Sequence, residues 1–209
     1  MQKIIIIGGG GHAKVLISII KKSLLFEIVG YVDFRDQGKI LGLGYLGNDS
    51  ILGNYFCEGI ENAAIGIGQV NVTCKRFEAV NKIKEIGFKF PVIISKDAIV
   101  NEGTFIEEGT QIFDGVVINT GTRIGKFSII NTHSTVEHDC KIGNFCHIAT
   151  NAVLSGGVEV GEFSMIGSNS VVVQYKKITA NCMIGSGCVV TKDITDEGVY
   201  VGNPARKIK

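Results

Sequence analysis

From Ile94 onward the hydrophobic pattern of this chain repeats every six residues. Ile94, Val100, Ile106, Ile112, Ile118, Ile124, Ile130, Val136, Ile142, Ile148, Leu154, Val160, Ile166, Val172, Ile178, Ile184 and Val190 make 17 consecutive aliphatic positions in one register. Four residues after most of these anchors stands a small side chain, among them Ala98, Thr110, Ser128, Cys140, Cys146, Ala152, Ser170, Cys182 and Cys188. Val116, Val158 and Lys176 are among the departures. A fixed period held over so many repeats is the signature of a solenoid, in which each unit buries its apolar side only against its neighbours. The pattern predicts short strands of about six residues separated by bends. A branched aliphatic at each anchor packs well on a pleated interior surface. A small residue near each corner lets the chain turn without overfilling a narrow core.

The first ninety residues follow a different pattern. Lys3–Ile7 reads as a buried strand that runs into Gly8-Gly9-Gly10-Gly11. His12–Lys22 is amphipathic at helical spacing, with Val15, Leu16, Ile19 and Ile20 expected on one face. Ile28–Asp33 and Ala63–Ile67 are further strands, and a helix is expected from Val72 to Ile86, capped by Asn71. Strands alternating with helices imply a small parallel α/β sheet. The expected organisation is an α/β domain over 1–90, the repeat domain over 91–195 and a tail over 196–209.

Composition narrows the function classes. The 209-residue chain carries 21 basic and 20 acidic side chains, a formal net charge of +1, so it has no nucleic-acid footprint and no polybasic membrane anchor. Its first apolar run, Ile4–Ile7, is too short for a membrane span or a signal sequence, which points to the cytoplasm. The chain has 28 Gly and only 2 Pro, a balance that suits many tight corners rather than long linkers. Six cysteines show neither CxxC nor zinc-ligand spacing, and four of them fall in the small-residue register as inert hydrophobes. No metal is expected.

Gly8-x-Gly10-x-x-Ala13, with Asp33 about 20 residues on, satisfies the dinucleotide fingerprint. Glycines there let a pyrophosphate approach a helix N-terminus, where the dipole and free N–H groups favour anions. Ninety residues hold one mononucleotide-binding half, so a diphosphate-linked sugar fits better than NAD. An NAD-binding regulator or oxidoreductase would rest on this turn alone.

The repeats Ile-Gly-Lys-Phe-Ser-Ile (124–129), Ile-Gly-Asn-Phe-Cys-His (142–147) and Val-Gly-Glu-Phe-Ser-Met (160–165) resemble the hexapeptide-repeat acyltransferases. The closing Gly202-Asn203-Pro204-Ala205-Arg206 resembles the tail of the same family. The resemblance implies a mixed fold: a Rossmann-like α/β domain followed by a left-handed parallel β-helix with three hexapeptides per coil. It also implies a homotrimer that binds acyl-CoA in clefts between neighbouring subunits. Gly-Gly-His-Ala-Lys-Val (10–15) ahead of such a repeat resembles the group of sialic-acid O-acetyltransferases and UDP-4-amino-sugar N-acetyltransferases. In that group Gly8, Gly10, Gly11, His12, Lys14 and Asp33 would lie near the nucleotide.

The resemblance further implies that His138 is the general base, in Val136-Glu137-His138-Asp139-Cys140. Asp139 stands where the family usually has Glu, and either Asp139 or Glu137 can partner the histidine. His147 would contact acetyl-CoA, and Gly185 and Gly187 would line the pantetheine cleft, while His133 has no counterpart. With 18 residues per coil, Gly156 lies one coil above His138 and Gly157 above Asp139, roughly 4.8 Å away. That glycine pair would leave room for a thioester and offer an N–H to the oxyanion of acyl transfer. The favoured expectation is N-acetylation of a nucleotide-linked, UDP-type 4-amino-sugar for a surface polysaccharide or glycan, with acetyl-CoA as co-substrate. O-acetylation of a sialic-acid-type sugar uses the same fold and base. A non-catalytic solenoid scaffold is the alternative of another class.

Overall fold

A computed structural model of the chain describes residues 1–69 and 75–209. The expected cap Asn71, the expected helix start at Val72 and Cys74 lie outside the described residues. The chain forms two compact units, the first running to Lys96 and the second from Asp97 to Lys209.

The first unit is built on a parallel sheet of β1 (Gln2–Ile7), β2 (Phe26–Val32), β3 (Tyr45–Gly47) and β4 (Asn62–Ile65), in the order β3-β2-β1-β4. Strand β1 is central, which is why Ile4–Ile7 is an unbroken apolar run exposed by no more than 2%. Helix α1 (Gly11–Ser23) buries Ala13, Leu16, Ile17, Ile19 and Ile20. Val15, expected on that face, is 40% exposed, and Ile17 takes its place at helical spacing from Ala13 and Ile20. A short 3-10 turn (Asp49–Ile51) leads into α2 (Leu52–Cys57), and α3 (Lys75–Ile86) follows β4. Strand β3 and helix α2 had no clear periodic signal because both are short and only partly buried.

The second unit is a left-handed parallel β-helix of strands two or three residues long on three faces. The first face stacks Phe105–Ile106, Arg123–Ile124, Lys141–Ile142, Glu159–Val160 and Lys177–Ile178. The second stacks Gln111–Ile112, Ile129–Ile130, His147–Ile148, Met165–Ile166 and Cys182–Ile184. The third stacks Ile99–Val100, Val117–Ile118, Thr135–Val136, Val153–Leu154, Val171–Val172 and Val189–Val190. Every pairing offset along these faces is one coil of 18 residues, as in Ile124 with Ile142. The anchors from Ile112 to Val190 are at most 4% exposed and form one continuous core. The tail does not stand apart. Gly198–Val201 adds a parallel strand beside Cys182–Ile184, and Arg206–Lys207 returns antiparallel to it.

Two features of the corners go beyond size. The small residues four after the anchors are rungs between coils. Thr122 Oγ1 donates to the Glu137 carbonyl (2.8 Å), Ser128 Oγ to Gly143 (2.9 Å) and Ser170 Oγ to Gly185 (2.8 Å). Each such oxygen also accepts the backbone N–H one coil up, as Ser128 Oγ does from Cys146 (3.0 Å) and Thr122 Oγ1 does from Cys140 (3.3 Å). A buried corner otherwise leaves backbone groups unsatisfied, at a cost of about 1–3 kcal/mol each. The second feature is conformational: every sixth residue from Gly103 to Gly187 has φ between 53° and 77°. Asn, Asp and His tolerate that left-handed region, whereas Phe does so rarely. Phe127, Phe145 and Phe163 sit there as a stack with centroids 5.1 and 5.3 Å apart, and this mutual packing offsets the backbone cost.

Burial pushes the Cys140 thiol up to about 11 and the Cys146 thiol up to about 12, and raises those of Cys182 and Cys188 as well. A thiol whose folded value exceeds its unfolded value contributes stability that is full below the unfolded value and lost as pH rises toward the folded one. Stability should therefore fall between about pH 9 and 12, and these four thiols should resist a thiol reagent until the chain unfolds. Mass spectrometry after alkylation at pH 8 checks this; labelling of Cys146 in the folded protein would contradict it.

Candidate active site

His138 and Asp139 lie at the corner between Thr135–Val136 on the third face and Lys141–Ile142 on the first. Asp139 occupies the left-handed turn position (φ 59°), and its Oδ2 is 2.8 Å from His138 Nδ1. A carboxylate only accepts, so Nδ1–H is the donor, and in the neutral ring the lone pair is then on Nε2. Both side chains reach solvent, at 48% and 70% exposure. Glu137, the other acid beside the histidine, is held elsewhere. Its Oε2 accepts from Asn119 Nδ2 (2.9 Å), whose Oδ1 accepts from Asn101 Nδ2 (2.7 Å). Asp139 is the acid bonded to His138.

The two glycines one coil up have different surroundings. A Cβ on Gly156 would stand 2.5 Å from His138 Nε2, so the absence of a side chain keeps the ring and its lone pair in place. The Gly156 N–H makes no backbone hydrogen bond among the described residues. Gly157 is committed otherwise: its N–H donates to the His138 carbonyl (2.8 Å), and the Tyr175 ring fills the space a Cβ would need. Of the pair read from the spacing, only Gly156 can offer an N–H to an oxyanion.

His147 lies on the second face, across the coil from the His138 corner, so one chain does not bring the two together. It is 8% exposed, and Asn131 Nδ2 lies 3.1 Å from its Nε2. Gly187 is open, whereas Gly185 is covered by the tail strand: it donates to the Tyr200 carbonyl (2.8 Å), and a Cβ would meet Val201 at 2.9 Å. His133 is an exposed turn residue whose ring takes the room above Gly115. Among the described residues no cluster of His, Cys, Asp or Glu could hold a metal ion.

In the first unit the loops that follow β1, β2 and β4 converge. Gly8 N–H donates to the Val32 carbonyl and Gly66 N–H to the Ile7 carbonyl, both at 2.7 Å. With β1 between β2 and β4, this end is the topological switch point where open α/β sheets bind ligands. Helix α1 begins there with Gly10 as its N-cap, no side-chain cap and no acid in its first turn. A Cβ on Gly10 or Gly11 would meet nothing within 4 Å, so the space before the helix is open. Lys14 is exposed and His12 half-buried beside Gly68. Asp33 ties the turn together: its Oδ2 accepts from Gly9 N–H (2.5 Å) and its Oδ1 from Arg35 N–H (3.3 Å).

Two parts of this end escaped the sequence reading. The strand expected to reach Ile67 ends at Ile65, and residues 66–68 form a loop. Arg76 is 2% exposed and donates to the Ile65 (3.2 Å) and Ile67 (2.5 Å) carbonyls, fixing that loop. Burial brings its guanidinium down to about 9. Its spacing from the buried Val80 and Ile83 is the signal that marks it as inward-facing.

These features recur in known proteins. The PglD N-terminal domain family matches residues 3–80, and the bacterial transferase hexapeptide family (six repeats) matches residues 139–174. A histidine mutant of perosamine N-acetyltransferase from Caulobacter crescentus, in complex with CoA and GDP-perosamine, is 32% identical. The match covers 100% of this chain and 98% of that one, with a TM-score of 0.94. The acetyltransferase domain of PglB from Neisseria gonorrhoeae, in complex with acetyl coenzyme A, is 31% identical over 99% of both chains, with a TM-score of 0.92. WeeI from Acinetobacter baumannii, 22% identical over 100% of both chains with a TM-score of 0.85, shares the fold. The chain belongs to the hexapeptide-repeat acyltransferases, in the group that joins a PglD-type N-terminal domain to the repeat.

Proposed function

We propose that this protein transfers the acetyl group of acetyl-CoA to the amine of a nucleotide-linked amino sugar, with His138 as general base. The observation that carries this reading is the pairing of His138 Nδ1 with Asp139, which turns Nε2 toward the space beneath Gly156 as the nitrogen free to take a proton in the neutral ring. The neutral sugar amine attacks the thioester carbonyl, forming the C–N bond and an oxyanion within reach of the Gly156 N–H. Nε2 removes the proton from the attacking nitrogen. The imidazolium, steadied by Asp139, returns that proton to the departing CoA sulfur as the C–S bond breaks. CoA brings the activated acyl group, and the protein supplies position, a base and a donor.

The donor set fits the acceptor class. The open helix N-terminus at Gly10 and Gly11, with Lys14 exposed nearby, suits a diphosphate. His12 and Asp33 border the same turn. GDP- and dTDP-linked amino sugars are as compatible with the glycine turn as the UDP-4-amino-sugar expected from the sequence, and the related perosamine enzyme, in complex with GDP-perosamine, supports keeping GDP among them.

The working form is a homotrimer. The outward positions of the third face are Val117, Val153, Val171 and Val189 around Thr135, whereas the first face, after Phe105, presents Arg123, Lys141, Glu159 and Lys177. An apolar column of that length favours cover by another copy. Threefold packing also supplies what one chain lacks, a second-face His147 from a neighbour beside each His138 corner, with Gly187 open to the acyl donor. No described helix is long and apolar enough to cross a membrane, and reduced thiols and a CoA substrate fit the cytoplasm.

A thiol-release assay with acetyl-CoA and a panel of UDP-, dTDP- and GDP-linked amino sugars tests the reading, with light scattering on the same sample. Turnover with one such amine and a three-chain mass are expected. Turnover only with a sialic-acid-type hydroxyl would move the assignment to O-acetylation, and a stable, fully active monomer would remove the shared site.

A further inference from the structure

Phe34 is 81% exposed, and it follows Asp33 at the carboxyl end of β2. A lone exposed apolar residue needs no explanation. Phe34 differs because the loop that displays it is pinned from several sides. Tyr31 is fully buried; its hydroxyl donates to the Gly38 carbonyl (2.7 Å) and accepts from Gln37 N–H (2.9 Å). Tyr45 Oη donates to the Asp33 carbonyl (3.2 Å), and Gly38 N–H donates to Asp36 Oδ1 (2.8 Å). Through its two carboxylate oxygens, Asp33 joins this loop to the glycine turn at Gly9. The Arg35 guanidinium lies 5.3 Å from the centre of the Phe34 ring, over one of its faces.

Topology says what belongs on the other face. In a mononucleotide-binding half the pyrophosphate sits at the turn after the first strand, and the acid ending the second strand reaches the ribose. The base then lies beyond that acid, over the residues that follow it. Here those residues are an exposed aromatic and a cation stacked on it. Aromatic rings hold bases by stacking, which is tolerant of base identity because every base has a π-face.

We infer that Phe34, backed by Arg35, is the platform on which the nucleobase of the nucleotide-sugar acceptor stacks. The inference rests on the proposed acceptor class. It assigns Phe34 to affinity for the nucleotide and leaves the choice among bases to hydrogen-bonding groups around it.

The test is calorimetric titration of wild type, Phe34→Ala and Phe34→Trp with UDP and with GDP, together with steady-state kinetics on the accepted nucleotide-sugar. Phe34→Ala should weaken nucleoside-diphosphate binding and raise KM for the nucleotide-sugar by about 5- to 100-fold. Its kcat at saturation and its KM for acetyl-CoA should stay at wild-type values, and Phe34→Trp should keep wild-type affinity. Binding by Phe34→Ala within twofold of wild type would overturn the platform while leaving the acceptor class intact. Failure of wild type to bind either nucleotide or to turn over any nucleotide-sugar would overturn the acceptor class, and the platform with it.

Discussion

Replacement of His138 by alanine should lower kcat at least about 100-fold, the lower end of what a positioned general base contributes. The geometry makes the loss specific. Nδ1 is taken by Asp139, so Nε2 is the nitrogen that can accept a proton, and alanine removes both. The side chain is 48% exposed and is not part of the buried core, so the melting temperature should stay close to wild type. KM for acetyl-CoA should also change little, because the lost interaction is with a proton in flight rather than with the bound donor. Asp139→Asn should cost less than His138→Ala: the imidazole remains, but its tautomer and its charged form lose their partner. Steady-state kinetics on the three proteins decides the matter. A His138→Ala enzyme within a few-fold of wild type would remove the base from this corner altogether.

The parts of this molecule that the sequence made legible are those with a period. The aliphatic anchors announce the coil, and an offset of 18 residues then puts Gly156 over His138, as the structure has it. Periodicity also carried the β1-turn-α1 unit, where an unbroken Ile run meets a glycine cluster. What escaped depends on groups that have no period of their own. That Thr122, Ser128 and Ser170 are rungs for the corner backbone, not merely small, requires the hydrogen-bond partners one coil away. The turn register running from Gly103 through Phe127, Asp139 and Asn151 to Gly187 is chemically so varied that its shared φ is invisible in residue types. The same register explains why Gly157 is unavailable to a substrate. As the turn residue above Asp139, its N–H closes the link to the His138 carbonyl. Loop anchors such as Tyr31 and Arg76 were hidden for a different reason, because each acts through carbonyls or amides of residues whose loops have no sequence signature.

Gly156→Ala adds only a methyl group and should cost most of the activity without costing stability. Gly156 does not have the positive φ of its neighbour Gly157, so alanine brings no backbone strain. Its Cβ would instead stand 2.5 Å from His138 Nε2 and 2.7 Å from Cε1, well inside contact distance. The imidazole is the free end of an exposed side chain, and it would swing aside more readily than the coil would deform. That movement draws Nδ1 away from Asp139 and Nε2 away from the attacking amine, while the methyl occupies the room above the base. A misplacement of about 1 Å at a reacting centre costs on the order of 100-fold, which is the fall expected in kcat/KM. Gly161→Ala is the control, because its Cβ would strike backbone in the next coil, 2.6 Å from the Thr179 carbonyl carbon and 2.8 Å from Ala180 Cα. There the coil itself must give, so Gly161→Ala should lower the melting temperature, and Gly156→Ala should lower activity at an unchanged one. A Gly156→Ala enzyme with wild-type kcat/KM would show that neither the position of Nε2 nor the space above it limits acyl transfer. The reverse result, loss of activity without loss of stability, ties the reaction to one imidazole nitrogen and the missing side chain over it.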